Sequence, residues 1–534
     1  MAVSSLTRRD LSRLLAGGGL GGALAGAGTT GAARAQGRKD VLVIGLDIGD
    51  TVTLDPAKQN NYSPPLTLAA CCDTLVTLDP GDYSTPKPML ATKWARTEDG
   101  QGWRFALRPD VRFFSGNPMT ADDVKWTFDR IFGIKDQTAF YIGNVAAVNV
   151  VDPHTVDIML KTRAEPILDI LAAPGFGILD RKTVMAQGGT TDASDKATDW
   201  LNTHTAGTGA YAVTAWARNA QIQMVRNPHS WRGPSPYARV VIRHIPDSAA
   251  QLLAVQRGDV DVAFNLIPEQ INSLKADRQI RVEKLASLDF VYLALTQEAE
   301  LSKALAVKEA RQAIAHSIDY DGIRTRLLGG EATRSASFLP VGVLGSTQAD
   351  ADRLAPKEDL DLARRLLQKA GLPDGFEFEL SYGQAVVNGV SYGTIAQKLQ
   401  SDLARVGIRV RLNPMDQVNM RTQYIGGKAT SVITFWNPPA VNNYLWAGAA
   451  TQRVAKRVHW TPSDDMLKLV GAATAEPDRA RQAQLWIEFQ EKMVDQANLV
   501  ILFQPIYQVA VRDSVGKFPL TAAGWLAEVS GAKP

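Results

Sequence analysis

Apolar residues along this chain follow strand-like and helix-like patterns in turn. Residues 41–46 form an apolar run ahead of an Asp-Pro turn, which predicts a strand entering a cleft. Residues 103–108 alternate with a period of two and predict one strand of a hairpin. Thr120 is a favourable N-cap with apolar residues at helical spacing behind it, which predicts a helix. The N-terminal part of the chain is therefore expected to mix strands and helices.

A helix stripe, a glycine stop and an alternating strand recur in three segments, residues 239–266, 359–380 and 394–412. In the first segment Ser248 is predicted to cap the helix. The glycines predicted to stop the three helices are Gly258, Gly371 and Gly407. Units of this kind favour α/β lobes in which helices flank mixed sheets.

Residues 1–35 have the features of an export signal in the expected order. Arg8 and Arg9 form a twin-arginine pattern, a Gly/Ala/Leu stretch follows, and a small-residue cleavage site ends at Ala35. The alternative is a disordered Gly/Ala tail on a cytoplasmic protein, which the order of these features disfavours. No cysteine lies near the cleavage site, so we expect a periplasmic protein that has lost its signal peptide and carries no lipid anchor.

The composition is that of an ordinary globular protein, with 45% hydrophobic and 21% charged residues. A length of 534 residues is enough for two or three lobes. The formal net charge is +3, and residues 1–35 alone carry four arginines against one aspartate, so the mature chain is nearly neutral. Nucleic-acid binding is not expected from this balance. No later segment has the apolar length of a transmembrane helix, so membrane contact is expected only through a partner.

Few residues carry recognisable chemistry. The two cysteines, Cys71 and Cys72, are adjacent, a bond between them would be strained, and the simplest interpretation is a pair of buried apolar side chains. Cys72 is kept as a candidate ligand contact. The six histidines show no metal-ligand spacing, so neither a metal nor a cofactor is expected. Catalytic motifs such as Gly-x-Ser-x-Gly and His-Glu-x-x-His are absent, so no enzyme is expected, and an exported hydrolase or other enzyme is the alternative.

Short motifs occur in a fixed order along nearly the whole mature chain. They are Leu54-Asp55-Pro56, Trp94, Asp99-Gly100 and residues 107–111, 115–124, 207–211, 258–261, 311–314 and 370–371. Each motif is weak alone. Their order and spacing resemble the extracellular solute-binding proteins of family 5, the peptide, opine and nickel receptors of ABC importers.

The resemblance implies an α/β protein with two lobes around a hinge and an extra subdomain inserted near the N-terminus. A solute would bind between the lobes and shift an equilibrium between open and closed forms. The implied protein is a monomer that delivers its solute to the permease subunits of an ABC importer, with a sensory receptor as an alternative. The expected boundaries are residues 36–67, 206–287 and 505–534 for lobe I, 68–205 for the inserted subdomain and 288–504 for lobe II.

The resemblance also implies ligand contacts on both lobes. On lobe I these are Asn60 and Tyr62, which follow the Asp-Pro turn. On lobe II they lie in and after an aromatic segment, at Phe435, Trp436, Asn437, Asn443 and Tyr444. Aromatic residues in apolar runs usually belong to a core. Two prolines after Asn437 predict a loop, however, so Trp436 is expected to bind ligand rather than pack.

One difference from the family's sequence pattern affects which solute is expected to bind. Peptide-binding members carry an aspartate shortly after the tryptophan, which pairs with the α-ammonium of the ligand. Residues 431–446 contain no acid, and an unpaired ammonium in a cleft is costly. A peptide-like, opine-like or other modified polar solute is therefore expected, rather than a plain free-amine peptide. Arg421 and Arg453 are candidates for a clamp on a ligand carboxylate, although surface ion pairs are the commoner role of such residues.

Overall fold

Strands and helices alternate along the chain, which confirms the predicted α/β class. The structure is a computed structural model that describes residues 40–59, 63–79, 82–162, 167–437, 440–522 and 526–534. Residues 41–534 form one compact unit. The strands are β1 (Val41–Leu46), β2 (Val76–Asp79), β3 (Asp82–Pro88), β4 (Ala91–Arg96), β5 (Gly102–Leu107), β6 (Val145–Asp152), β7 (Thr155–Leu160), β8 (Tyr211–Ala217), β9 (Gln221–Arg226), β10 (Arg239–His244), β11 (Val262–Ala263), β12 (Ile280–Ala286), β13 (Phe290–Leu295), β14 (Ala332–Thr333), β15 (Glu377–Tyr382), β16 (Val386–Val387), β17 (Val390–Ser391), β18 (Arg409–Pro414), β19 (Ser431–Trp436) and β20 (Leu499–Arg512).

Helices flank these strands, and none in the described part of the chain is long and apolar enough to cross a membrane. The α-helices are Pro64–Cys71, Ala121–Ile134, Gln137–Tyr141, Arg181–Ala186, Thr198–Leu201, Ser248–Arg257, Pro268–Leu274, Lys303–Ala306, Lys308–Ser317, Tyr320–Gly322, Gln348–Leu354, Leu360–Lys369, Tyr392–Ala404, Gln417–Ile425, Asn443–Gly448, Ala455–Arg457, Asp464–Ala475 and Arg479–Gln496. Short 3₁₀ turns are Pro56–Lys58, Ile170–Ala172, Pro174–Phe176 and Val529–Gly531, and π turns are Ile323–Leu327 and Ala449–Val454.

A large mixed sheet dominates the described residues. Ten of its strands follow the order β18-β15-β19-β13-β20-β11-β1-β10-β9-β8, while β12 and β14 pair with β20 outside this path. β1 is parallel to β10 and β11, and β15 is parallel to β18 and β19. β20 is antiparallel to its neighbours β13 and β11. Each end of the sheet therefore contains parallel strands with helical connections, and β20 joins the two ends.

β20 changes its partner near its middle. Its residues 499–503 pair with β13, while residues 506–512 pair with β12. Pro505 lies at the change and pairs with the short β14. Proline has no backbone N–H to donate, so it is tolerated where a ladder is interrupted. One strand thus belongs to both ends of the sheet.

The buried side chain of Gln504 stabilises β20 at this change of partner. Its amide nitrogen donates to the carbonyl oxygens of Ser287 and Val341 at 2.6 and 2.9 Å. Its amide oxygen accepts from the backbone N–H of Val341 at 2.8 Å. Gln504 is 1% exposed, so its side chain is shielded from solvent at these bonds. They fix the segment that enters β13 against the centre of β20.

The predicted helix and strand units are present, with two local differences. The glycine stops adopt left-handed backbone, with φ of 73° at both Gly258 and Gly371 and 85° at Gly407. The N-cap of the first helix is Asp247 rather than the predicted Ser248, because the Asp247 carboxylate accepts from the N–H of Ala250 at 2.7 Å. The strand after this helix, β11, has only two residues.

A smaller sheet, in the order β4-β5-β7-β6, packs against the helix Ala121–Ile134. Thr120 is the N-cap residue of this helix, as predicted, and the Asp123 carboxylate accepts from its backbone N–H at 2.8 Å. The apolar positions Val124, Phe128 and Ile131 are buried against the sheet. The helical stripe in the sequence therefore corresponds to the packed face.

A buried ion-pair network anchors the Asp-Pro turn that follows β1. Arg130 donates to both carboxylate oxygens of Asp55 at 2.9 and 2.6 Å, and it also donates to both oxygens of Asp195. All three side chains are at most 2% exposed. Burial by itself lowers the pKa of Arg130, yet the hydrogen bonds that it donates to the two carboxylates leave that pKa above its usual range. The network fixes the turn to the helix Ala121–Ile134.

Both cysteines are free thiols inside an apolar cluster. Burial raises the pKa of Cys71 to about 12 and also raises that of Cys72, so both stay protonated at neutral pH. The backbone of the Gly-Thr-Gly motif packs directly on them. A Cβ at Gly207 would lie 2.2 Å from the Cys71 carbonyl oxygen, and one at Gly209 would lie 2.4 Å from its carbonyl carbon. Close approach explains why this motif uses glycine.

Candidate functional site

A cavity of about 290 Å³ lies between residues from the N-terminal and C-terminal parts of the chain. Its first wall consists of Asp50, Gln59, Pro65, Thr138, Tyr141 and residues 173–176. Its second wall consists of Gln417, Met420, Arg421, Tyr424, Ile425, Arg453, Arg457 and residues 434–437. The cavity mixes aromatic, amide and guanidinium groups, which is typical of a site for a polar organic solute.

Three elements position the second wall. The helix Gln417–Ile425 begins at Asp416, whose carboxylate accepts from the N–H groups of Val418 and Asn419. These bonds hold the pKa of Asp416 below its usual range. β19 is buried from residue 431 to 434 and reaches the cavity with Phe435 and Trp436. A helical stretch over residues 449–457 completes the wall.

The second wall concentrates positive charge. Arg421 lies on the helix Gln417–Ile425, and Arg453 and Arg457 lie four residues apart on the helical stretch. None of the three forms an ion pair with a carboxylate among the described residues. Desolvation lowers the pKa of Arg421, and the charges of Arg457 and Arg453 lower it further, although its side chain still reaches solvent.

Aromatic rings fix two of these guanidinium groups. The Arg453 guanidinium lies 4.1 Å from the ring centroid of Phe140 and 6.0 Å from that of Trp436. The Arg457 guanidinium lies 5.2 Å from the ring centroid of Tyr424. Arginine stacks on aromatic faces while its N–H groups stay available at the edge of the plane. Phe140 precedes Tyr141 of the first wall, so Arg453 also bridges the two sides of the cavity.

The first wall contains the acidic residue of the described cavity lining. Among the described lining residues Asp50 is the one carboxylate, and it accepts hydrogen bonds from the backbone N–H and the hydroxyl of Ser63. Thr138 donates its hydroxyl to the carbonyl oxygen of Pro56 at 2.8 Å, which ties the lining to the anchored turn. The lining therefore presents three guanidinium groups and one carboxylate.

The structure brings together three of the predicted contacts. Phe435, Trp436 and Asn437 all line the cavity. Trp436 belongs to β19 and is not in a loop as predicted, because its backbone pairs with Phe290 of β13. Its ring packs on Phe338 with centroids 5.3 Å apart. Its indole N–H is buried without a hydrogen-bond partner in the described structure. Trp436 thus contacts both the core and the cavity.

The remaining predicted contacts are either outside the described residues or away from the cavity. Asn60 and Tyr62 fall outside the described residues. Cys72 is 6% exposed within the apolar cluster around β1. Asn443 begins a helix and donates its side-chain N–H to the carbonyl oxygen of Leu344, and Tyr444 packs against the core at the next position. None of these three lines the cavity.

Several lining residues were not predicted. Arg457, Tyr424, Tyr141 and Gln417 were missed, and Arg421 and Arg453 were considered but not selected. The spacing of four residues between Arg453 and Arg457 was a usable signal, because it places both on one helix face. Tyr141 gave no such signal, since it comes from a distant part of the chain. Among the described residues no group of three acidic, histidine or cysteine side chains could hold a metal ion.

Comparisons with known proteins agree with this arrangement. The family model for bacterial extracellular solute-binding proteins, family 5 Middle, matches residues 85–453, which is more than half of the chain. Probable D,D-dipeptide-binding periplasmic protein DdpA of Escherichia coli K12 is 28% identical over 489 residues, which covers 90% of this chain and 91% of the relative. Di/tripeptide-binding protein 2 of Pseudomonas aeruginosa is 24% identical over 494 residues, with 88% and 90% covered.

Solved structures share the fold. A dipeptide-binding protein from Pseudoalteromonas sp. SM9913 in complex with Met-Leu has a TM-score of 0.79 at 21% identity and covers 92% of this chain and 99% of its own. The binding protein AgaA from A. tumefaciens R10 in complex with agropinic acid has a TM-score of 0.76 at 21% identity, with 92% and 98% covered. The fold is therefore that of the two-lobed periplasmic binding proteins, and the chain belongs to the bacterial extracellular solute-binding proteins of family 5.

Proposed function

We propose that this protein is a periplasmic receptor that captures a small polar solute in the cavity and delivers it to the permease of an ABC importer. The observation that carries the proposal is the composition of the cavity, whose two walls come from distant parts of the chain. Arg453 and Phe140 touch across the two sides at 4.1 Å. A solute that contacts both walls would favour the closed form, which is how a receptor of this kind signals occupancy.

The proposed lobes follow the expected boundaries. Residues 36–67, 206–287 and 505–534 form lobe I, residues 68–205 form the inserted subdomain and residues 288–504 form lobe II. The change of partner in β20 at Pro505 supports the last boundary. The hydrogen bond from Gln504 to Ser287 supports the boundary between residues 287 and 288. The hinge would then lie where these two segments cross.

The proposed solute is peptide-like, opine-like or another modified polar compound rather than a plain free-amine peptide. The second wall offers no carboxylate to an ammonium group among its described residues. Among the relatives named above, one is a probable D,D-dipeptide-binding protein, one is a di/tripeptide-binding protein, one was solved with Met-Leu and one with agropinic acid. The absence of an acid from the described second wall, rather than these relatives, therefore supports the proposed solute class. The tyrosines and the tryptophan of the cavity would stack on such a solute.

The proposed route to the periplasm uses the twin-arginine signal, with cleavage after Ala35 and no lipid anchor. The protein would then act as a free monomer that docks on its permease. An exported enzyme has less support, because the family consists of solute-binding proteins and the described lining holds no recognisable nucleophile and base pair.

Native mass spectrometry of the protein from periplasm, before and after denaturation, tests the function. We expect release of one defined small molecule that is not a peptide series, because a cavity of this kind selects few solutes. A ladder of peptide masses would contradict the proposed solute class and leave the receptor function intact. If nothing is released, peptides, opines, sugars and metal chelates are screened by thermal shift. No release together with no shift from any of them would overturn the receptor function.

A further inference from the structure

We infer that the cavity selects a solute with at least two carboxylates, which are held by Arg421, Arg453 and Arg457. The inference rests on the proposed function and deepens it by naming the solute chemistry. Three positive groups face the single carboxylate of Asp50 in the described lining. A solute with two negative charges would balance that excess, whereas a neutral solute would leave it uncompensated in the cleft.

Two buried arginines elsewhere in the fold show what a structural arginine looks like in this protein. Arg130 forms two paired contacts with the carboxylates of Asp55 and Asp195. Arg311 is 2% exposed and donates to three backbone carbonyl oxygens, those of Leu305, Ala306 and Gln496. Both are satisfied within the fold. The three cavity arginines have no carboxylate partner among the described residues and are placed so that they repel one another.

The pKa of Arg421 agrees with this placement. Desolvation lowers that pKa most, and the charges of Arg457 and Arg453 lower it further. Like charges placed together reduce the stability of the empty protein when no carboxylate is paired with them. An anion bound among them would reverse the effect. Sites that cost stability in this way are expected where a ligand supplies the missing partner.

The geometry suits carboxylates in particular. Arg453 and Arg457 lie one helical turn apart, and the rings of Phe140, Trp436 and Tyr424 fix their planes. A guanidinium held by its face presents paired N–H groups at its edge, which match the two oxygens of a carboxylate. Two such groups side by side can receive two carboxylates of one molecule.

The first arm of the test counts carboxylates directly. The molecule released from periplasmic protein is treated with acidic methanol, which adds one methylene unit of mass for each carboxylate. Two or more additions are expected. None or one would overturn the inference while the receptor function stands, and a phosphoryl group in place of carboxylates would also overturn it. Release of nothing, with no thermal shift in the solute screen, is the separate outcome that removes the receptor function.

The second arm measures binding of citrate and glutarate, with the uncharged glutaramide as the matched probe. Arg453→Gln and Arg457→Gln should weaken binding of the charged probes roughly tenfold to hundredfold, the scale of a lost charge-assisted hydrogen bond. Arg365→Gln, on an exposed helix position, should change nothing. Equal binding of glutarate and glutaramide, or equal binding by all variants, would contradict the inference.

A stability readout separates a binding role from a structural one. Without any probe, Arg421→Gln should leave the melting temperature unchanged or raise it, because the substitution removes a repelling charge. A structural arginine would lower it on replacement. A clear fall in melting temperature of Arg421→Gln in the probe-free protein would therefore count against the assignment of this residue.

Discussion

Phe435 and Trp436 are neighbours in β19, yet their side chains have different surroundings. Phe435 is 41% exposed at the cavity, while Trp436 is half-buried against Phe338. Both line the cavity, so both are expected to contact solute. Phe435 should therefore contribute to solute binding alone, whereas Trp436 should contribute to both binding and folding stability.

Replacement of each aromatic residue by alanine tests this difference. Phe435→Ala should weaken solute binding by about 1 kcal/mol without changing the melting temperature, because its ring is exposed in the empty protein. Trp436→Ala should weaken binding by about 1–3 kcal/mol and also lower the melting temperature, because its ring packs on the core. Calorimetry with the released solute and thermal unfolding measure the two effects. A melting temperature lowered equally by both changes would contradict this separation.

Prediction at the level of single residues succeeded only in part. Phe435, Trp436 and Asn437 were placed at the cavity by matching a short segment to a family. Seven positions after Trp436 the chain has entered a new helix, and the Asn443 amide bonds the Leu344 carbonyl instead. A linear match carries no information about such a change of direction. The ligand roles of the predicted residues stay predictions.

Helix and strand segments were predicted more reliably than sites. The apolar run at residues 41–46 is β1, and the helix behind Thr120 has its predicted cap and buried face. Local periodicity and turn chemistry determine both features. β11 is shorter than its alternating sequence suggested, because its pairing with β1 and β20 involves two residues only. Pairing across the chain, which no local pattern encodes, set that length.

The helix Ala121–Ile134 provides a matched pair of substitutions. Arg130→Met should lower the free energy of unfolding by about 3–5 kcal/mol, because it leaves two buried carboxylates without their partner. Lys125→Met removes a solvent-exposed pair with Asp129 on the same helix and should change the free energy by less than about 0.5 kcal/mol. Chemical denaturation measures both. A similar, small effect of the two changes would show that the network does not anchor the Asp-Pro turn.

The arrangement of the whole molecule could not be derived from the sequence pattern alone. The order of strands in the large sheet depends on contacts between residues hundreds of positions apart, such as Val262 with Val511. The family resemblance supplied the two-lobed fold, and the structural comparisons confirm it. The cavity combines residues from both ends of the chain, and its arginine content became visible only once these ends were placed together.

At this scale the proposed export route can be tested. Replacing both Arg8 and Arg9 by lysine should leave the precursor in the cytoplasm, because the twin-arginine pair is the recognised feature of such signals. Cell fractionation followed by immunoblotting measures the distribution of precursor and mature protein. An exported control with Arg13→Lys keeps the pair intact. Normal export of the double variant would mean that the signal uses another pathway.

β20 has a further consequence for biosynthesis. It is the last strand among the described residues, and the strands that pair with it, β11, β12, β13 and β14, are all made earlier. Until residues 499–512 leave the ribosome, those strands present open edges to one another and to neighbouring chains. The sheet can therefore close only after nearly the entire polypeptide has been synthesised. A nascent chain or a C-terminal truncation lacking β20 would be exposed to aggregation, and a helper that shields strand edges would act during that interval.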